Sequence, residues 1–293
     1  MSAFLTLRND PASLALAPAM GGGIAYWRHD GVDLLRPLAT AAPQGPRDLG
    51  CYPLFPFSNR VAGRRFTFAG QSYELPALLG GFAIHGAAWQ LAWQGSTHGN
   101  TAHLMVEHHP GPLWPFAFRA EQRFTLEAEA LICDLAITNQ HYASAPAGFG
   151  LHPYFPRHPG TRLQLAARTV WHNGADMIPT HRSDVPEPWD FADGRALDDV
   201  VVDNCFADWP GTARLSHPAR DRLTQGHAVT IRADAIFRHV VIFVPESKDF
   251  CAVEPVTNMN DGLNRMNAAG HGMVVLAPGE TSSGRITFRR EAA

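Results

Sequence analysis

The stretch Phe118–Ile132, FRAEQRFTLEAEALI, decides the fold. Phe118, Ala120, Phe124, Leu126, Ala128 and Ile132 fall on one parity. Arg119, Glu121, Arg123, Thr125, Glu127 and Glu129 fall on the other. Alternation at period two marks a strand with one dry face and one wet face. The same signal recurs along the chain. Arg65–Leu75, RFTFAGQSYEL, sets Phe66 and Phe68 against Tyr73 and Leu75 across a Gly-containing turn, which reads as a hairpin. HVVIFVP, from His239, is a continuous apolar run and reads as a strand buried on both faces. RITF, Arg285–Phe288, reads as a closing strand after the loop APGETSSG. Pro and Gly punctuate the whole chain, and both disfavour helix interiors; long amphipathic helices are nearly absent. The polar, Pro-rich segment 174–200 reads as a long surface excursion, because strand patterns resume on both sides of it. The expected fold is all-β: a large antiparallel β-sandwich, one domain spanning residues 1–293.

Composition narrows the function classes. The chain has 293 residues, 45% of them hydrophobic, with a mean hydropathy of −0.14. These values fit a soluble globular protein. The formal charge is −3 and Lys248 is the only lysine, so the basic footprint of a nucleic-acid binder is missing. No apolar run approaches the roughly 20 residues that span a bilayer, and the N-terminus lacks the pattern of a secretory signal. Cys51, Cys133, Cys205 and Cys251 stand singly, without the paired spacing of a zinc site. Four free thiols in a reducing cytoplasm are expected. His103, His108 and His109 hint at a metal, but His108 and His109 point to opposite faces of a strand. They read as a solvated strand end, and no metal is expected.

Four polar groups are set apart by their surroundings of glycine, proline and aromatics. Asn59 and Arg60 lie in FPFSNRVAGRRF, and His85 lies in GGFAIHGAAWQLAW with Trp89 and Trp93 after it. His152 lies in GFGLHPYFPRHPG, where the following proline forces an extended, stiff backbone. Glu254 lies in FCAVEPVTNMNDGLNR, between an apolar strand and Pro255. Each taken singly reads as a packed or solvated residue before a functional one.

Taken together and in order, SNRVAG, IHGAAWQLAW, LHPYF, VDNCF and AVEPVTN resemble the aldose 1-epimerase (galactose mutarotase) family. The closing LAPGETSSGRITF is similar to that family's last strand, and the matches run from about residue 20 to the end. The resemblance implies a galactose mutarotase-like supersandwich, a small-molecule sugar substrate and no cofactor. It implies His152 as general acid and Glu254 as general base. It assigns Arg60, His85 and Asp203 to sugar hydroxyls, Asp203 having a turn-capping carboxylate as its alternative. Asn59, Trp89 and Tyr154 complete the expected sugar-binding set. Trp93 and Phe155 are further candidates for an apolar wall, with core the stronger reading for Trp93.

The residue types suit the chemistry. Opening a cyclic hemiacetal removes a proton from the anomeric hydroxyl and delivers one to the ring oxygen. Rotation about C1–C2 and reclosure give the other anomer. A carboxylate and an imidazole, with ordinary pKa values of about 4.3 and 6.5, can share this work, and a charged Glu254 is expected to favour protonated His152. Two other readings stay open. A hexose-6-phosphate 1-epimerase typically carries an arginine soon after the His-Gly pair, where this chain has Trp89; Arg64 and Arg65 are its substitutes. A non-catalytic carbohydrate-binding protein would dispense with His152 or Glu254, and both are present. LHPYF stands where NHSYF is more usual, which leaves the preferred sugar open, as is the oligomeric state.

Overall fold

The computed structural model describes residues 4–40, 42–219 and 226–292. Phe118–Ile132 forms a hairpin where one strand was expected. Its arms are Phe118–Leu126 and Ala130–Asn139. Glu127 N donates to Ala130 O at 2.8 Å, reversing the chain over three residues. Paired residues share a face, and the register pairs even-numbered Leu126 with odd-numbered Leu131. The inward parity therefore switches at the turn. Leu131, Cys133, Leu135 and Ile137 face the core, and Ile132 faces away from it. Gln122 is buried among the apolar residues of the first arm because its amide donates to Gly22 O at 2.9 Å.

This hairpin lies in a nine-stranded antiparallel sheet. The sheet runs Gln94–His98, Thr101–His108, Phe118–Leu126, Ala130–Asn139, Thr281–Ala292, His227–Ala233, Thr212–His217, Arg162–Leu165 and Phe191–Ala196. The strand carrying RITF thus sits in the middle of the sheet. A second, eleven-stranded sheet packs against it. Its order is Leu5–Asn9, Ala12–Ala17, Gly23–His29, Cys51–Leu54, Gly150–Pro156, Phe250–Val256, His239–Val244, Val202–Ala207, Thr169–Asn173 and Pro179–Asp184, with Val32–Asp33 beside Gly23–His29. One buried apolar cluster, running from Leu7 to Phe288, fills the space between the sheets. Phe155 meets Phe288 there, with ring centroids 6.2 Å apart, so Phe155 is core and no part of a sugar wall. Trp93 belongs to the same core.

The hairpin Arg65–Phe68 and Gln71–Glu74 forms as expected, with Phe66 stacked on Tyr73 at 5.2 Å. His239–Val244 is an interior strand packed on both faces. Segment 174–200 is more ordered than an irregular excursion. Pro179–Asp184 forms one edge of the eleven-stranded sheet, and Phe191–Ala196 forms one edge of the nine-stranded sheet. The segment crosses between sheet edges, where prolines and charges keep further strands from pairing. Among the described residues the only helical pieces are 3-10 turns of three or four residues, and no helix is long and apolar enough to cross a membrane.

Candidate active site

The pleat of the eleven-stranded sheet builds the site. Along Gly150–Pro156, the odd-numbered Leu151 and Phe155 enter the inter-sheet core. His152 and Tyr154 therefore point to the opposite face. Registers carry a row of side chains across that face. Tyr52 pairs with His152. Gly150 pairs with Val256 and Tyr154 with Ala252, which sets His152 opposite Glu254. Glu254 pairs with Val241, Val241 with Cys205, and Cys205 with Trp171. A neighbouring row holds Tyr154, Ala252, Phe243 and Asp203. Asp203 thus sits within a strand and caps no turn. A separate apolar cluster of Tyr52, Ile84, Trp89, Tyr154 and Met259 lines this face.

Two loops close over the row and clasp each other. Asn59 and His85 both take left-handed backbone, at φ 58° and 63°. Asn and His are both among the residues that enter this region more readily than most. His85 N donates to Asn59 O at 3.0 Å, and Asn59 N donates to His85 Nδ1 at 3.3 Å. The short ladder Arg60 to Ile84 and Val61 to Ala83 continues the clasp. Gly86 is required here. Its φ is 70°, and a Cβ would lie 2.0 Å from Phe55 O. That close approach lets Ala87 N and Ala88 N donate to Phe55 O, anchoring the loop on the sheet.

The expected residues converge. His152 Nε2 lies 3.2 Å from Glu254 Oε1, and His85 and His152 have ring centroids 5.4 Å apart. Arg60 reaches Asp203 at 3.9 Å. The side chains of His152 and Glu254 are 7% and 3% exposed, those of Arg60 and Asp203 17% and 28%, so the mouth opens past the latter pair. Tyr154 abuts His152, with centroids 4.5 Å apart. Two expected contacts act differently. Asn59 Oδ1 accepts from Arg60 N at 2.8 Å, so its side chain holds Arg60 in place. Trp89 donates its indole N–H to Gly86 O at 3.1 Å, leaving only its ring to face Tyr52 and His85.

Other site residues carried weaker sequence signals. Tyr52 stacks on His152 at 4.6 Å and fixes the plane of that ring. Its signal was its place two residues before Leu54 in an apolar strand, which is common. Asn258 bridges the Glu254 loop to Ser58, whose N–H donates to Asn258 Oδ1 at 3.1 Å and whose hydroxyl donates to Asn258 O at 3.0 Å. Arg36 lies 4.0 Å from the Tyr154 ring centroid and donates to Arg47 O and Leu49 O. Nothing local marks it.

Burial governs the charges. It pushes His152 down to about 3 and Glu254 well above the carboxylate range, the nearby Asp203 adding to the latter and Arg60 opposing it. The expectation that a charged Glu254 would keep His152 protonated is reversed. In a dry site both groups favour their neutral forms. Burial likewise holds His85 well below its ordinary pKa. Its Nδ1 accepts from Asn59 N, which assigns the proton to Nε2 as a donor. Burial raises Asp203, with Arg60 opposing.

The remaining histidine candidates lie elsewhere. His108 Nε2 meets Trp114 O at 2.9 Å, and His103 meets Glu121 at 3.2 Å. Arg64 and Arg65 both pair with Glu74, at 3.6 and 2.9 Å. All four cysteines are free and buried. No cluster of three or more His, Cys, Asp or Glu suited to a metal occurs among the described residues.

Comparison with known proteins agrees with this architecture. The sequence model described as aldose 1-epimerase matches residues 4–289. An Escherichia coli K12 protein of uncharacterised function, YphB, is 32% identical over 291 residues, covering 95% of this chain and 96% of its own. A crystal structure from the same organism, provisionally assigned as an aldose 1-epimerase, is 30% identical, with a TM-score of 0.87 and 99% of each chain covered. A galactose mutarotase-like protein from Clostridium acetobutylicum shares the fold at 18% identity and a TM-score of 0.81, over 96% of this chain and 93% of its own.

Proposed function

We propose that this chain, which belongs to the aldose 1-epimerase family, interconverts the α and β anomers of a free hexose or related aldose. The observation that carries the reading is the 3.2 Å approach of His152 Nε2 to Glu254 Oε1 on one sheet face. Anomeric hydroxyl and ring oxygen share one carbon, so acid and base must meet at one small region.

The pair works as a unit with one mobile proton. A protonated carboxyl beside neutral imidazole holds as many protons as a carboxylate beside imidazolium. Burial favours the first arrangement in the free site. Sugar hydroxyls and the Arg60 guanidinium stabilise the second when substrate is bound. Glu254 then takes the proton of O1 while His152 gives one to the ring oxygen. The ring C–O bond breaks, the aldehyde forms, and the pair returns to its neutral arrangement. After rotation about C1–C2 the transfers reverse: imidazole takes the hydroxyl proton, and the carboxyl returns one to O1. His85 Nε2–H, Arg60 and Asp203 hold hydroxyls, and Tyr52 and Tyr154 keep the imidazole plane fixed. A neutral sugar fits best, because Arg64 and Arg65 are spent on Glu74. Cytoplasmic action is part of the proposal, supported by four unpaired cysteines.

The test is polarimetry or NMR of freshly dissolved pure anomers across hexoses and pentoses. Catalysed equilibration of at least one free aldose supports the reading. Binding of sugar without any acceleration refutes it in favour of a non-catalytic sugar binder.

A further inference from the structure

Several of the buried polar atoms without a hydrogen-bond partner lie around the Trp171 end of the site and beside Arg60. Trp171 Nε1, Asn173 Oδ1, both side-chain amide atoms of Asn260, and Nε of Arg60 and Arg265 are sealed from solvent and make no hydrogen bond within the protein, Arg265 Nε having only an ion contact with Asp261 at 3.5 Å. Native structures pair nearly all such atoms, so several in one place mark where a ligand supplies the bonds. Trp171 lies in the row that begins with Tyr52 and His152 and runs on through Glu254, Val241 and Cys205. Asn173 Nδ2 donates to Asp203 O at 2.8 Å. Asn260 is fully buried; its backbone hydrogen-bonds the thiol of Cys205. The backbone N–H of its neighbour Asp261 donates to Arg60 O at 2.9 Å. Asn260 is therefore held between Arg60 and the Cys205–Trp171 end of the row.

Distance and charge define what belongs there. Cys205 is two strands beyond Glu254, about 9–10 Å at ordinary strand spacing. That spans one pyranose ring with a hydrogen bond at each end. Both arginines already face a carboxylate, Arg60 with Asp203 at 3.9 Å and Arg265 with Asp261 at 3.5 Å. The unmet capacity is thus neutral, and Asn260 offers both a donor and an acceptor, as a hydroxyl demands.

We infer that Asn260, aided by the Trp171 indole N–H, binds the sugar hydroxyls most distant from the anomeric carbon and so sets which aldose is preferred. This rests on the aldose reading above and adds the residue that selects among aldoses. The experiment measures equilibrium binding of D-glucose, D-galactose and their 3-deoxy and 4-deoxy analogues by calorimetry, alongside KM and kcat. Asn260→Ala is expected to weaken the best parent sugar about tenfold, with the loss falling on KM. Trp171→Phe should weaken it about threefold to tenfold. For one deoxy analogue, which lacks the hydroxyl concerned, Asn260→Ala should cause no further loss. Folded variants that bind every sugar as wild type does, or lose equally for all analogues, overturn the inference. If Asn260→Ala does not fold, Asn260→Asp and Trp171→Phe decide by the same criterion. Wild-type protein that neither binds nor equilibrates any sugar of the wider hexose and pentose panel overturns the aldose reading itself, and no variant is needed to see it.

Discussion

Glu254→Gln separates the chemistry from the fold. The amide keeps the shape of the carboxyl and cannot take a proton, so the substitution removes the base while leaving the strand Phe250–Val256 packed. A positioned acid–base group contributes on the order of 10²–10⁴-fold, and kcat is expected to fall by that factor. Stability should move the other way. The carboxyl has an ordinary pKa of 4.5, which burial raises well above that value in the folded chain. Above pH 4.5 the unfolded chain gives up this proton while the folded chain retains it. The folded state then binds more protons at this group, and the carboxyl's contribution to wild-type stability falls as pH rises toward the raised value. Glutamine carries no such penalty. The melting temperature of Glu254→Gln relative to wild type should therefore increase between pH 5 and pH 8. Anomer exchange by NMR gives the rate, and thermal melts at the two pH values give the stability. A fully active variant refutes the assignment of the base. A variant whose relative stability declines with rising pH refutes the account of the buried carboxyl.

Three further outcomes are expected. The pH profile of kcat/KM should show no acid-side limb near 6.5, because burial places His152 at about 3; activity that falls as pH drops through 6.5 on folded protein contradicts the neutral imidazole. The contribution of His239 to stability should fall as pH drops from 6.5 toward 4, since this residue, packed against Thr257 O, is held down to about 4 and the unfolded chain takes up its proton first. That histidine alone is worth on the order of 3 kcal/mol, and urea titrations at pH 7 and 4.5 should show the slope reduced in His239→Gln. Gly86→Ala meets both a positive φ and the Phe55 carbonyl, and should cost about 2–4 kcal/mol and displace His85, read as a lowered melting temperature with weakened sugar binding.

Period-two patterning made the sheets legible because burial on one face is written into every second residue. It failed where a turn changed the parity. The glutamates at 127 and 129 continued the polar alternation through a chain reversal, so Ile132 stood on the wrong face of the expected strand. Segment 174–200 hid two edge strands because edges need few apolar residues. In the site, His85, Arg60 and Glu254 were visible as polar residues amid glycine and proline, where backbone geometry leaves few substitutes, and Gly86 shows why. Asp203 was read through motif resemblance, and its place within a strand came only from the register with Phe243. Tyr52, Arg36 and Asn260 were not visible. Tyr52 and Arg36 act through contacts with the rings of His152 and Tyr154, about a hundred or more residues away in sequence, which no local window contains. Asn260 sits in an ordinary polar run, and only its burial without a partner sets it apart from its neighbour Asn258, whose amide is satisfied by Ser58. The same contrast separates structure from recognition across this sheet face. Asn258 is bonded within the fold, whereas the side-chain amide of Asn260 is not, and we assign those unmet bonds to the sugar.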